Sequence, residues 1–173
     1  MSRPERLTLD RIETPLGEVL LVTDAEGAVR ALDFTDFEPR MMKLLARHYG
    51  AVELSEGLAP EAVRMAVRAY FDGDAHALDG LATRTGGTDF QRQVWAALKT
   101  IPAGQTRSYA QLAAMIGRPS AVRAVGLANG ANPIALIAPC HRVVGANGTL
   151  TGYAGGLERK RWLLAHEQAA RRP

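Results

Sequence analysis

The chain has 173 residues, of which 47% are hydrophobic and 23% charged, a composition typical of a soluble globular protein and unlike that of a collagen or a disordered chain. Its single cysteine excludes an internal disulfide and a cysteine-rich zinc site. The charge is uneven, because residues 1–87 carry 10 Lys and Arg against 15 Asp and Glu, whereas residues 88–173 carry 11 against 3. A basic second half favours a nucleic-acid partner, although a solvated basic surface explains the charge equally well.

The first half predicts a small antiparallel sheet followed by helices. Apolar and polar residues alternate over residues 7–13, and two β-rich runs follow after turns at 14–17 and 24–27. These runs cover residues 18–23 and 28–34. Apolar residues then recur at helical spacing in two further segments, residues 39–49 and 60–71. Residues 80–88, which are rich in Gly and Thr, predict a linker.

The second half predicts three helices, over residues 90–99, 109–116 and 121–129. Thr88 and Ser108 stand where side chains that cap helix N-termini are expected. The last two helices are short and are joined by a tight turn at residues 117–120, which favours a helix-turn-helix motif that lays its second helix against DNA. Many helical domains contain such a pair, so the pattern by itself leaves this function open.

The segment that carries most chemical information is Pro-Cys-His-Arg-Val-Val at residues 139–144, which holds the only cysteine. A lone cysteine is most often a small buried hydrophobic residue. Here, however, His141 and Arg142 follow directly, and both can favour the thiolate that a nucleophile requires. Neighbouring residues of a regular strand point to opposite faces, so His141 can act on Cys140 only through a water or an irregular backbone.

The same segment resembles the active-site signature of the O6-alkylguanine-DNA alkyltransferases, also called methylated-DNA–protein-cysteine methyltransferases. The resemblance is continuous over about residues 88–168. It rests on further motifs in the family's order: FQRQVW at 90–95, SYAQLA at 108–113, AVRAVG at 121–126, NP at 132–133, GYAGG at 152–156 and WLLAHE at 162–167. In the first half, the resemblance is looser and rests on TPLG at 14–17.

The resemblance implies a suicide enzyme that repairs DNA by direct reversal. Cys140 would take the alkyl group from O6-alkylguanine, and from O4-alkylthymine, in a single irreversible turnover. His141 would be the base, acting through a water, and Glu167 would orient His141. Asn132 would hold the loop of the cysteine, and Tyr109 would donate toward N3 of the departing guanine.

The resemblance also implies how DNA is bound. Arg123 would enter the base stack and replace the flipped nucleotide, because the target atom cannot be reached inside a duplex. The small residues Ala121, Ala124 and Gly126 would let the recognition helix approach the minor groove. The remaining implied positions are backbone contacts at Gln91 and Arg118 and a base pocket formed by Tyr153, Ala154 and Gly155.

The expected architecture follows from the same comparison. Residues 1–82 would form an α/β domain with a ribonuclease-H-like fold, an antiparallel sheet with helices. Residues 83–173 would form a mainly α, winged-helix-like domain with the helix-turn-helix. We expect no metal, no cofactor and no membrane partner. We also expect a cytoplasmic protein that acts on double-stranded DNA as a monomer, with cooperative binding left open.

Three other functions compete with this interpretation. A non-enzymatic damage-binding protein of the same fold would replace the cysteine, usually with Trp, and the presence of Cys140 speaks against it. A plain helix-turn-helix regulator would explain the basic half but not the ordered set of Cys140, His141 and Glu167. A thiol protease or acyltransferase would leave the recognition helix unexplained.

Overall fold

The computed structural model describes residues 3–171. It contains a four-stranded sheet, a two-stranded parallel pair and six α-helices. The strands are β1 (Glu5–Thr14), β2 (Gly17–Thr23), β3 (Val29–Phe34), β4 (Val52–Glu56), β5 (Arg107–Ser108) and β6 (Val143–Val144). The helices are α1 (Glu38–Tyr49), α2 (Glu61–Phe71), α3 (Asp89–Leu98), α4 (Tyr109–Met115), α5 (Val122–Gly130) and α6 (Leu157–Arg171).

The four-stranded sheet has the order β3-β2-β1-β4. Strands β1, β2 and β3 form the expected antiparallel meander, with Leu9 opposite Val22 and Leu21 opposite Leu32. The expectation of a purely antiparallel sheet is wrong, because β4 pairs in parallel with β1, for example Leu7 with Leu54. Helix α1 provides the crossover that a parallel pairing requires. The sequence analysis did not predict the short β4, at residues 52–56, which has only five residues and none of them buried.

The sheet packs on both faces, as the burial of its strands shows. One face holds a small cluster with α1, in which Leu9, Val22 and Ala31 contact Met41 and Leu45. The opposite face belongs to a larger cluster that continues into the helices of the second half. A single hydrophobic core therefore joins the two halves of the chain.

Helices α3, α4 and α5 begin within one residue of the predicted positions, whereas α6 was not predicted. Thr88 caps α3 and Ser108 caps α4, each by accepting from the backbone N–H three residues later, at 3.1 Å in both helices. In each case, the glutamine at that third position, Gln91 or Gln111, bonds back to the cap, which completes a capping box. These two caps fix the starting points of α3 and of the first helix of the α4–α5 pair.

The edge strand β3 ties the sheet to the second half at two places. Val29 pairs with the linker, donating to the carbonyl of Ala82 at 2.9 Å. Leu32 donates to the carbonyl of Pro133 at 3.0 Å and accepts from Ala135 at 3.2 Å. Residues 133–135 lead directly to Cys140, so the sheet supports the segment that carries the cysteine. No helix among the described residues is long and apolar enough to cross a membrane.

Candidate active site

Cys140 lies in a single 3-10 turn, Cys140–Arg142, that follows Pro139 and leads into β6. This irregular backbone removes the geometric objection that a regular strand would raise between Cys140 and His141. The thiol belongs to the hydrophobic core, and the residue is only 5% exposed. A substrate atom therefore has to enter the protein to reach the sulfur.

Asn132 holds the loop before the cysteine in shape. Its side-chain carbonyl accepts from the N–H of Ile134 at 3.0 Å, and its amide donates to the carbonyl of Ala138 at 2.7 Å. Within this loop, Leu136 has a φ of 71°, a conformation that is unfavourable for a residue with a Cβ. The loop keeps this conformation because Asn132 and the sheet fix it from both sides.

His141 and Glu167 form a buried pair with Arg142. Nε2 of His141 lies 2.9 Å from Oε2 of Glu167. Arg142 donates to both carboxylate oxygens, from Nε to Oε1 at 2.9 Å and from Nη2 to Oε2 at 2.8 Å. A carboxylate only accepts hydrogen bonds, so Nε2 of His141 carries a hydrogen, and Nδ1 is the ring nitrogen that remains to act as a base. The Nδ1 atom of His141 is buried and forms no hydrogen bond with any residue that the structure describes.

The charge of Glu167 is stable in this position. Burial alone would raise the pKa of the carboxyl, but the charge and hydrogen bond of His141, together with the Arg142 guanidinium, hold that pKa far below its usual range. Glu167 is therefore ionised at neutral pH. An ionised carboxylate on Nε2 favours an imidazole that can accept a proton at Nδ1.

The resting cysteine is a thiol rather than a thiolate. Burial raises the pKa of Cys140, against the smaller opposing effects of a hydrogen bond with Asn132 and the positive charges of Arg40 and Lys160. Of the two ways to obtain a thiolate, a lowered cysteine pKa or a nearby base, the structure therefore does not support the first. A nucleophilic role requires a base that removes the proton during the reaction.

Lys160 is a functional candidate that the sequence analysis missed. It is fully buried on α6, and its ammonium donates to the carbonyl of Thr151 at 3.1 Å. Burial lowers its pKa, while the nearby Cys140 acts in the opposite direction. A positive charge near the sulfur would stabilise a developing thiolate. The sequence could have indicated this residue, because Lys160 lies on the apolar face of α6 and a buried lysine usually has a partner.

Tyr109 and Tyr153 both pack against the hydrophobic cluster that contains Cys140. The hydroxyl of Tyr109, at the start of α4, lies 3.0 Å from Oγ1 of Thr151, the residue whose carbonyl receives Lys160. The ring of Tyr153 lies edge-on to His141, with 6.5 Å between their centroids. Burial raises the pKa of Tyr153 well above its ordinary value, so its hydroxyl stays neutral.

Tyr153 is held by a tightly packed glycine. A Cβ on Gly155 would lie 2.6 Å from the Tyr153 ring and 3.2 Å from that of Phe34, closer than side chains tolerate. Ala154, between them, is partly exposed. The segment from Tyr153 to Gly155 therefore forms a compact wall beside His141. Among residues 3–171, the buried hydroxyl of Tyr153 has no hydrogen-bond partner.

Helix α5 presents its exposed face beside Tyr109. Arg123 and Ala124 are exposed on its first turn, and Ala121 occupies the N-cap position. A Cβ at Gly126 would lie 3.8 Å from the Tyr109 ring, which is ordinary contact. Protein packing therefore does not require glycine here. Trp95 anchors the rear of the helix by donating from its indole nitrogen to the carbonyl of Ala128 at 2.8 Å.

The last two predicted DNA contacts lie away from the cysteine. Gln91 completes the capping box of α3, where its side-chain oxygen accepts from the N–H of Thr88 at 3.0 Å. The exposed Arg118 lies over the ring of Phe90 at 5.7 Å. Within the described part of the chain, no hydrogen bond joins either side chain to the cysteine loop.

The first half contributes contacts that the sequence analysis did not foresee. Tyr70 of α2 donates to Glu167 at 2.7 Å. Arg40 of α1 donates to the carbonyls of Gly130 at 2.6 Å and Asn132 at 3.1 Å. Arg159 of α6 joins Asp36 to the carbonyl of Gly155, at 2.9 and 3.1 Å. Each of these side chains reaches across the two halves of the chain, which no local pattern reveals.

Comparison with known proteins identifies relatives along most of the chain. The protein-family model described as "6-O-methylguanine DNA methyltransferase, DNA binding domain" matches residues 89–169. A methylated-DNA–protein-cysteine methyltransferase of Salmonella typhimurium is 51% identical over 164 residues, covering 94% of this chain and 96% of the relative.

Solved structures show the same similarity. A Mycobacterium tuberculosis OGT in complex with DNA is 39% identical, covers 94% of both chains and superposes with a TM-score of 0.79. An O6-methylguanine methyltransferase of the same organism is 41% identical, with a TM-score of 0.77 and coverage of 96% of this chain and 95% of that chain. The similarity thus extends over the sheet as well as the helical half.

Proposed function

The chain belongs to the methylated-DNA–protein-cysteine methyltransferase family, and on that premise we propose how its residues perform the reaction. The protein repairs DNA by direct reversal of methylation damage, with a cysteine as the methyl acceptor. That cysteine must be Cys140, because the chain has no other. The observation that supports this role best is the buried set of Cys140, His141 and Glu167, in which the residue that follows the cysteine is a histidine oriented by an ionised carboxylate.

The reaction is a single displacement. The sulfur of Cys140 attacks the methyl carbon on O6 of guanine, so a C–S bond forms as the C–O bond breaks, and the electron pair of that bond stays with the guanine. The thiol proton passes through a water to Nδ1 of His141. A proton returned to the base completes the balance, giving guanine and a methyl thioether. The thioether is not cleaved, so each molecule acts once.

Tyr109 and Lys160 assist the two partners of this displacement. Tyr109 donates toward N3 of guanine as negative charge develops on the leaving base. Its position at the start of α4, beside α5, supports this role. Lys160 stabilises the thiolate as the proton leaves Cys140. Asn132 keeps the cysteine loop in place, and the wall of Tyr153, Ala154 and Gly155 receives the base. O4-alkylthymine would react by the same displacement.

DNA binds along α5, which enters the minor groove with its small residues Ala121, Ala124 and Gly126 facing the duplex. The almost complete burial of Cys140 supports a mechanism in which the damaged nucleotide leaves the base stack. The exposed Arg123 replaces it in the duplex. Arg118 and Gln91 contact the DNA backbone at the edge of the interface. Gln91 does so in addition to its role in the cap of α3.

We assign residues 1–82 to a ribonuclease-H-like domain and residues 83–173 to a winged-helix-like domain. The mixed sheet with its helices supports the first assignment, and the α4–α5 pair next to the short β5–β6 ladder supports the second. We also propose that the protein is a cytoplasmic monomer. It would need no metal or cofactor, because the displacement is balanced by the groups of the chain and of the substrate alone.

The experiment that tests the reaction is intact and peptide mass spectrometry after incubation with a duplex that contains one O6-methylguanine. We expect one added methyl group, located on the peptide of Cys140, with saturation at one per protein. The Cys140→Ala variant serves as the control and is expected to bind the lesion without gaining mass. An unmodified wild-type protein that still prefers the lesion would indicate a damage-binding protein instead. An unmodified protein without that preference would contradict repair altogether.

A further inference from the structure

We propose that Tyr70, which the first half of the chain contributes, is a positioning residue that sets how strongly Glu167 stabilises a proton on His141. The inference rests on the proposed function, since it takes His141 as the base. It concerns a residue outside the segments 88–168 that carry the family's motifs. It gives the first half a part in the chemistry beyond its packing.

The contact itself is short and completely buried. Tyr70 lies in the last turn of α2 and is 1% exposed, as is Glu167. Its hydroxyl donates to Oε2 of Glu167 at 2.7 Å, the same oxygen that faces Nε2 of His141 at 2.9 Å and Nη2 of Arg142 at 2.8 Å. By contrast, Oε1 receives only Nε of Arg142 among the described residues. Tyr70 and His141 therefore compete for the charge of one oxygen atom.

The tyrosine is fixed from a second direction. The ring of His166 packs against that of Tyr70 with 5.4 Å between centroids, and Nε2 of His166 lies 2.6 Å from the backbone carbonyl of Tyr70. Phe71 packs edge-on at 5.2 Å. Tyr70 of α2 thus binds two consecutive residues of α6. Its backbone carbonyl contacts His166, and its hydroxyl donates to Glu167. This arrangement leaves the phenol little freedom to turn away.

The phenol acts as a neutral donor at every relevant pH. Burial, reinforced by the neighbouring charge of Glu167, raises the pKa of Tyr70 far above its ordinary value. A neutral donor on Oε2 draws negative charge away from Nε2 of His141 and so weakens the stabilisation of the imidazolium. The base can then accept the thiol proton and release it again. Without the hydroxyl, the carboxylate would hold the imidazolium more tightly.

The other groups around this pair are accounted for. His141 is faced by Cys140 and Arg142 of its own turn, by Glu167 of α6 and by the neutral Tyr153. Tyr70 is faced by His166 and Glu167 of α6, with the guanidinium of Arg142 beyond the carboxylate. Asp79 and Lys99 line the same cavity as Tyr70 and Arg142. Arg142 donates to Glu167 and to the carbonyl of Ile101, at 2.7 Å for the latter, and none of these hydrogen bonds involves the phenol. The effect of Tyr70 can therefore be separated from that of Arg142.

The test is the Tyr70→Phe variant, which removes one hydroxyl and keeps the ring. Single-turnover rate constants for methyl transfer would be measured from pH 5 to 9, and lesion affinity would be measured in a Cys140→Ala background. We expect unchanged affinity, a lower rate constant at neutral pH and an acid limb of the pH–rate profile displaced upward by roughly one pH unit, the size that one net hydrogen bond corresponds to. The lost rate should return at alkaline pH.

The matched control is Tyr49→Phe. Tyr49 is another tyrosine of the first half, partly rather than fully buried, and its hydroxyl donates to backbone carbonyls away from Glu167, that of Arg84 at 2.9 Å and that of Arg30 at 3.3 Å. This variant loses one tyrosine hydroxyl and should keep the wild-type profile. A Tyr70→Phe protein that is merely less stable, with the rate constants and acid limb of the wild type, would overturn the proposal. A wild-type protein that transfers no methyl group would instead overturn the proposed function, so the two failures are distinguishable.

A second substitution covers the case in which Tyr70→Phe does not fold. 3-Fluorotyrosine incorporated at position 70 keeps the hydroxyl and makes it a stronger donor. It should withdraw more charge from Oε2 and displace the acid limb to lower pH, the direction opposite to that of Phe. An acid limb that stays at the wild-type position would overturn the role of Tyr70.

Discussion

Glu167 is the residue on which the site converges, because one buried carboxylate receives donors from two separate parts of the fold. Tyr70 belongs to α2, and His141 and Arg142 belong to the 3-10 turn after Pro139. The donors from that turn stabilise the ionised form enough to outweigh the penalty of burial. The same contacts that orient His141 also attach α6 to the rest of the protein.

We therefore expect Glu167→Gln to lower the free energy of unfolding by about 3 kcal/mol, since it leaves Arg142 buried without a charged partner. The lowered pKa also fixes the pH dependence. Because the folded carboxyl has a pKa below its ordinary 4.5, its contribution is fully present above about pH 4.5 and is lost as the pH falls below that value. Urea unfolding between pH 3 and 7 should show this loss in the wild type and not in the variant.

The control for this measurement is Glu158→Gln. Glu158 lies on the same helix, is exposed, and forms no ion pair within the described part of the chain. It should follow the wild-type stability at every pH. A Glu167→Gln protein that is as stable as Glu158→Gln would mean that the buried pair contributes nothing net.

At the scale of elements, α5 combines a rigid rear face with an exposed front. Trp95 fixes the rear through the carbonyl of Ala128, while Arg123 and Ala124 face outward. Gly126 sits between these faces, and the protein itself leaves room for a methyl group there. The glycine is thus unfavourable for helix stability, and the proposed approach of α5 to DNA gives a reason for its presence.

Gly126→Ala is accordingly expected to change stability and DNA binding in opposite directions. The substitution should stabilise the fold by about 1 kcal/mol, the difference in helix propensity between the two residues. It should weaken binding to duplex DNA about tenfold, or ~1.4 kcal/mol, because the helix can no longer approach the groove as closely. Thermal melting and fluorescence anisotropy on the same preparation would measure both effects.

Gly80→Ala provides the control, because Gly80 is exposed and lies in the linker rather than beside α5. A Cβ at this position would meet no atom of the described residues within 4 Å. The substitution should leave DNA affinity unchanged. Equal affinities of wild type and Gly126→Ala would contradict the approach of α5 to the groove, whatever happens to stability.

The elements that the sequence predicted are those that local chemistry specifies. Thr88 and Ser108 mark helix starts because the side-chain oxygen of each accepts from an N–H of the first helical turn that has no partner within the helix. Both caps are confirmed. The strand β4 escaped prediction because its pairing with β1 depends on the crossover through α1, which no alternation within residues 52–56 records. The site divides in the same way. The adjacent Cys140 and His141 were evident from the sequence, whereas Tyr70 and Lys160 reach the site only through tertiary packing.

At the scale of the whole molecule, the acidic and basic halves share one interior. The main hydrophobic cluster includes Leu32 and Phe34 of the sheet as well as Trp95, Cys140 and Leu163 of the second half. Leu32 also pairs with the segment that leads to the cysteine. The boundary proposed near residue 82 therefore separates two units that depend on each other for burial of their apolar faces.

Methylation of Cys140 is expected to destabilise this shared interior. The sulfur lies in the main cluster together with Ala138, which is completely buried, so an added methyl group overpacks the core by about 1–3 kcal/mol. For a chain of this size, each kcal/mol corresponds to about 2–4 °C in the melting temperature. Calorimetry before and after reaction should therefore show a clear decrease, with protein exposed to undamaged duplex as the control. Because the overpacked cluster spans both halves, the change should appear as one displaced transition. Equal melting temperatures, or a separate early transition of one half, would contradict this coupling.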